Sequence, residues 1–216
     1  MKINRPRSLT LLVVDRIREM IVEDEIELGA LISENDLAAR LGVSRSPIRE
    51  ALQRLEIERL VQIFPQRGTF VFQFEEKQLE QTFEMRDILE SGALQICIRH
   101  DRDLIVERLD ESLEKGAVAL RQSAAEFRKA DAGFHSTIVE TCGNRDLIDA
   151  YVRISGRVRS LLNRLARTDA ELQGSQNDHA AIVDHIRAGR DADAVQALSW
   201  HMNGLPRMYA EKFKQT

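Results

Sequence analysis

The sequence predicts a mainly α protein: an N-terminal winged helix-turn-helix followed by an all-α six-helix bundle. Three observations carry this reading. Gly42-Val-Ser-Arg-Ser-Pro-Ile-Arg49 has the chemistry of a tight turn that opens a helix. Leu60 to Val71 reads as two short strands joined at Pro65 to Gly68. From about Glu75 onward, one amphipathic helical stretch follows another. Aromatic residues at 5%, charged residues at 31% and only 4 prolines suit such a helical chain.

Each N-terminal element has its own signal. An upstream helix is expected from Leu9 to Glu25, closing at Gly29. Ser33-Glu-Asn-Asp36 begins a second helix with a cap and an acidic first turn. Leu37, Ala38 and Leu41 give that helix its apolar side. Gly42 supplies the permissive backbone of the turn. Ser44 is a good N-cap, and Pro47 falls in the first turn, where its missing N–H costs nothing. Ile48, Leu52, Leu55 and Leu60 continue the apolar stripe.

Arg45 and Arg49 stand four apart and share one face of the new helix. Two guanidiniums near the start of a second helix suit the major groove, where arginine forks onto guanine O6 and N7. Ser44 and Ser46 beside them, with Arg67 and Gly68 at the wing tip, complete the candidate contacts to double-stranded DNA. The net charge of −4 does not announce a DNA binder. Acidic and basic residues balance through residue 74, so the negative excess lies beyond it. Between residues 40 and 67, however, Arg40, Arg45, Arg49, Arg54, Arg59 and Arg67 outnumber Glu50, Glu56 and Glu58. A local patch is what directional docking needs.

Leu37-Ala-Ala-Arg-Leu-Gly-Val-Ser-Arg-Ser-Pro-Ile-Arg-Glu-Ala-Leu-Gln-Arg-Leu55 resembles the N-terminal domain of GntR-type bacterial transcription regulators. Two positions depart from that pattern. Arg59 stands where the family usually has Gly, so the helix end must close less comfortably. Asn35 stands where some relatives carry a phosphate-contacting Arg.

Beyond the wing, breaks at His100-Asp101-Arg102, Gln122-Ser123, Cys142-Gly143-Asn144, Thr168 to Ser175 and Ala188 to Asp191 divide the chain into six helices. Asn144 and Asp191 are expected caps, each after a glycine. The inward faces carry unexpected polar residues. In the third of these helices, Asp131 and His135 fall inside the stripe of Phe127, Phe134, Ile138 and Cys142. His179 joins Ile182, Val183 and Ile186, and His201 sits among Ala194, Ala197, Leu198, Leu205 and Met208. Singly, each reads as a hydrogen-bonded core side chain. Together, three imidazoles and a carboxylate match a borderline divalent transition metal, with Zn, Ni or Mn as candidates.

This pattern resembles the FCD effector domain of one branch of the same family. The resemblance implies that Asp131, His135, His179 and His201 hold a metal. It covers about residues 78 to 213, and the expected domains are 1–74 and 75–216. Pro206 is expected to kink or interrupt the last helix.

Arg86 and Glu90 are embedded in the stripe of Leu79, Phe83, Ala93, Leu94 and Cys97. They read either as an i,i+4 ion pair at the bundle surface or as the clamp for a carboxylate-bearing effector. Arg159, beside Tyr151, Val158 and Leu162, is a further effector candidate, while His100 and His185 read as solvated. Cys97 and Cys142 are too few for a disulfide framework and read as buried thiols in the cytoplasm. No stretch is long enough for a bilayer span, and Leu9-Thr-Leu-Leu-Val-Val14 is too short for a signal peptide. There is no phosphate-cradling glycine loop or nucleophile elbow.

The expected function is therefore a metabolite-responsive DNA-binding regulator rather than an enzyme. Its partners would be operator DNA, a small organic acid and a second copy in a C2 homodimer. The rival reading is a metal-dependent enzyme with a DNA-binding appendage. Glu90 is the only general-base candidate beside the presumed ligands.

Overall fold

The computed structural model describes residues 8–74, 76–164 and 168–213; for residue 76 and residues 205–213 it describes the backbone alone. In chain order the elements are α1 (Leu9–Val22), β1 (Leu31–Ile32), α2 (Glu34–Leu41), α3 (Arg45–Ile57), β2 (Val61–Phe64), β3 (Gly68–Val71), α4 (Glu76–His100), α5 (Arg102–Gln122), α6 (Ala124–Thr141), α7 (Arg145–Arg164), α8 (Asp169–Arg187) and α9 (Asp191–Phe213). They form two compact units. One is Met1–Phe74 with Val152–Arg164; the other is Glu75–Tyr151 with Leu165–Thr216.

In the first unit, Ser8 caps α1 through Leu11 N–H. α1 stops at Val22, earlier than the sequence suggests. Its last carbonyls are taken from outside: Asn163 donates to Val22 O at 3.0 Å and Arg164 to Ile21 O at 3.1 Å. Asp24 then turns the chain at φ 63°. Ser33 caps α2, and Gly42 closes it in the left-handed conformation at φ 65°. Ser44 does occupy the N-cap of α3, but its side chain makes no capping hydrogen bond, contrary to expectation. Arg59, at φ 56°, adopts the backbone conformation that a glycine would take at lower cost.

The wing is a three-stranded antiparallel sheet in the order β1-β3-β2, not a two-stranded ribbon. Leu31 pairs with Phe70 and Ile32 with Thr69, while Val61 to Phe64 pair with Val71 to Gly68. β1 is too short to show alternation, so it leaves no period in the sequence. Ile17, Met20, Ile48, Leu52, Leu55 and Leu60 are fully buried at the centre of this unit.

In the second unit, α5 packs on α6, α8 on α9, and α4 on α9. Asp101, Ser123 and Asn144 accept from the backbone N–H three residues on, as helix caps do. The expected break from Thr168 to Ser175 is shorter than predicted. Thr168 and Glu171 form a capping box, so α8 already begins at Asp169 and Ser175 is a buried residue inside it. Asp191 is not a cap. It is the first residue of α9 and takes a two-pronged ion pair from Arg102 at 2.6 and 2.9 Å. α9 continues through Pro206 without interruption; the side chains of Leu205, Pro206 and Met208 lie outside the described residues. Cys97 and Cys142 are buried free thiols, and burial pushes Cys97 up to about 12. No helix among the described residues is long and apolar enough to cross a membrane.

Candidate functional site

Two places collect polar chemistry. The first is the start of α3. Its burial alternates as a recognition helix requires: Pro47, Ile48, Ala51, Leu52 and Leu55 are buried, while Ser44, Arg45, Ser46 and Arg49 are exposed. Arg67 and Gly68 are exposed at the tip of the wing, where the chain reverses between β2 and β3. The basic patch is partly neutralised by nearby acids. Arg49 Nε donates to Glu34 Oε2 at 2.7 Å, and Arg40 meets Glu25 at 3.1 Å. Arg45 Nη1 donates to Asn35 Oδ1 at 3.1 Å.

The second lies within the bundle. α6 contributes Asp131 and His135, one turn apart; α8 contributes His179 and α9 His201. All four are buried, and their ligand atoms lie within 4.8 Å of one another. His179 Nε2 and His201 Nε2 face each other at 3.1 Å, and His179 Nε2 lies 3.7 Å from Asp131 Oδ1. His135 Nε2 is buried with no hydrogen-bond partner among the described residues. Lone pairs converging on one point, with an orphaned imidazole nitrogen among them, fit a cation of the kind histidine and carboxylate bind. Burial would raise the Asp131 carboxyl, but the three imidazoles and the Ser175 hydroxyl outweigh it and hold it well below the usual carboxylate range. Burial, reinforced by His201, holds His179 well below 6.5 and therefore neutral, as a ligand must be.

The surrounding side chains fix the rings. Glu90 Oε2 meets His135 Nδ1 at 2.6 Å, and Asp178 Oδ2 meets His201 Nδ1 at 3.1 Å. Each bond turns the ring's Nε2 toward the cluster. Ser175 donates to Asp131 Oδ1 at 2.8 Å, and Phe134 stacks on His179 with ring centres 3.9 Å apart. Sequence reasoning missed Asp178 and Ser175, although both lie within four residues of His179. Their signal was one-turn proximity to a candidate ligand.

Arg86 and Glu90 do pair at i,i+4, with Nε to Oε1 at 2.6 Å, but not at the surface: both are buried. One guanidinium nitrogen, Nη1, has no partner among the described residues. Burial disfavours the Arg86 charge, yet Glu90 outweighs it and raises the guanidinium above its ordinary range. Glu90 is engaged by Arg86 and His135 together, so it orients a ring rather than offering a free carboxylate. Arg159 is not brought to this cluster. It belongs to the first unit, where it forms a two-pronged ion pair with Glu19 at 3.2 Å. Its place at the edge of an apolar stripe could not reveal which unit that stripe would join. His100 is exposed, and His185 is half-buried, accepting from Arg190 at 3.0 Å.

A winged helix with a reading face, joined in one chain to a helical bundle with a buried polar centre, defines a class of sensor-linked DNA-binding protein. Residues 9–71 match the family described as bacterial regulatory proteins, gntR family, and residues 81–204 match the FCD domain. The chain belongs to the gntR family and is a DNA-binding transcription regulator, not an enzyme. It is 30% identical to the gluconate operon transcriptional repressor of Bacillus subtilis (strain 168), over 88% of this chain and 80% of that protein. It is also 30% identical to a probable D-xylose utilization operon transcriptional repressor of Paenarthrobacter nicotinovorans, over 88% and 85%. The fold is shared with E. coli McbR/YncC at a TM-score of 0.84 and 22% identity, over 96% of this chain and 100% of that one.

Proposed function

We propose that this chain is a metabolite-responsive repressor. It binds palindromic operator DNA as a homodimer, holds a divalent metal through Asp131, His135, His179 and His201, and takes a small organic acid at that centre. The carrying observation is the convergence of four buried ligand atoms within 4.8 Å. Relatives named as operon repressors support the direction of regulation.

Bound there, a divalent ion supplies a Lewis-acidic site for a carboxylate oxygen. The chain's own residues do the rest. Glu90 and Asp178 hold two imidazoles in their ligating orientation. Arg86 brings a buried positive charge whose Nη1 has no partner among the described residues, a donor for the acid's second oxygen. On DNA, Arg45 and Arg49 read bases, Ser44 and Ser46 sit beside them, and Arg67 and Gly68 bring the wing to the duplex.

Elemental analysis of protein purified without chelator tests the metal. About one ion per chain is expected, and it is lost in His179→Ala. Protein that arrives metal-free and rejects Zn, Ni and Mn in titration overturns the reading. A thermal-shift screen of organic acids on metal-loaded protein then finds the effector, whose stabilisation grows with its concentration. For the DNA face, Arg49→Ala should cost about 1–3 kcal/mol against a duplex selected from a randomised library.

A further inference from the structure

The two arginines at the start of α3 are both tied to the first turn of α2. Arg49 Nε donates to Glu34 Oε2 at 2.7 Å, and Arg45 Nη1 to Asn35 Oδ1 at 3.1 Å. A guanidinium has two edges that can donate in parallel: Nε with Nη2 along its side, and Nη1 with Nη2 at its tip. Glu34 occupies the Nε of Arg49, which leaves that residue its tip. Asn35 occupies the Nη1 of Arg45, which leaves that residue its side edge.

Stability does not account for the Arg49 contact. Arg49 is 59% exposed and Glu34 32%, and an exposed pair of this kind adds little to folding. DNA binding does account for it. An unopposed guanidinium is drawn to any phosphate on any sequence. One already facing a carboxylate gains less from a second anion, yet its free edge still matches the neutral acceptors of guanine.

We propose that Glu34 is a specificity-determining positioning residue: it cancels the charge of Arg49 and fixes its free edge, so that Arg49 reads a base instead of seizing a phosphate. Asn35 is neutral. It aims the free edge of Arg45 without discharging it, so Arg45 keeps its full charge while it reads a base. This rests on the assignment of Arg45 and Arg49 as DNA contacts, and the test separates the two.

Binding is measured by fluorescence anisotropy over a series of salt concentrations. The probes are a duplex the full-length protein selects from a randomised library and a scrambled duplex of equal composition. The proteins are the parent, Glu34→Gln, Glu34→Asp, Asn35→Ala and Arg49→Ala, each first checked for an unchanged melting temperature. Glu34→Gln should bind the scrambled duplex more tightly and with a steeper salt dependence, by about one phosphate contact. Its ratio of selected to scrambled affinity should fall about tenfold, within what one forked base contact supplies. Glu34→Asp should restore part of that ratio, and Asn35→Ala should leave scrambled binding and its salt slope near the parent's. A Glu34→Gln protein with the parent's ratio and slopes, alongside an Arg49→Ala protein that loses selected binding, overturns the role of Glu34 alone. If Arg49→Ala also binds like the parent, the DNA-contact assignment falls and this role falls with it.

Discussion

Arg49 of α3 meets Glu34 at 2.7 Å with its side chain 59% exposed; Arg86 of α4 meets Glu90 at 2.6 Å with its side chain 3% exposed. The distances barely differ, and the solvent differs completely. At the α3 face, water screens the pair, so making or breaking it hardly affects folding. In the bundle, two charges have been removed from water, and each now depends on the other. Nature of partner follows from this. The exposed arginine can exchange its carboxylate for another acceptor, whereas Glu90 must stay engaged with both Arg86 and His135.

The sharpest way to break the comparison is Glu90→Ala. It should destabilise the metal-free protein by about 3–5 kcal/mol, because it strands a buried guanidinium. Urea denaturation measures this, and replacing Arg86 and Glu90 together by apolar residues should recover most of the loss. A cost for Glu90→Ala below about 1 kcal/mol would mean that water reaches the pair, as it does at the surface.

Acid should separate the two regions next. His135 and His179 are held below 6.5 chiefly by burial, so the folded state resists the protons that the unfolded chain accepts. Their contribution is complete above pH 6.5 and is lost as pH falls below it toward their depressed folded values. For Glu90, burial would raise the carboxyl, but Arg86 and His135 bring it to about 2. Its contribution is complete above 4.5 and disappears as pH falls toward 2. Melting temperatures of metal-free protein should therefore decline from pH 7 to 5 and drop further below 4.5. A flat profile from pH 7 to 5 would contradict the burial of these imidazoles.

At the wing, backbone geometry rather than charge sets the cost. Gly68 has φ 105°, and an added Cβ would lie 2.7 Å from Leu31 Cδ1. Gly68→Ala should cost about 1–3 kcal/mol by thermal unfolding. The smallest effect is Arg49→Ala, whose stability should stay within about 0.5 kcal/mol of the parent while DNA binding suffers. A larger loss of stability would show that the α2–α3 contact is structural.

Much of the fold was legible because it rests on local chemistry. Ser33, Gly42, Asp101 and Ser123 announce helix ends through bonds to residues close in the chain. The ribbon around Pro65 to Gly68 and the inward faces bearing Asp131, His135, His179 and His201 follow from turn residues and from the 3.6-residue period. Where a partner lies far along the chain, that legibility fails. Asn163 and Arg164 meet the last carbonyls of α1 from far along the chain, and β1 exists because β3 lies beside it.

The sequence by itself determined the helix order, the helix-turn-helix and the inward faces of Asp131, His135, His179 and His201, since each depends on neighbours within a turn or two. Tertiary structure alone decided that Asp131, His135, His179 and His201, from α6, α8 and α9, converge within 4.8 Å, that Glu90 reaches His135, and that Arg159 joins Glu19 instead. A helical period specifies an angle around one axis. Burial and convergence depend on the distances between axes, which packing sets.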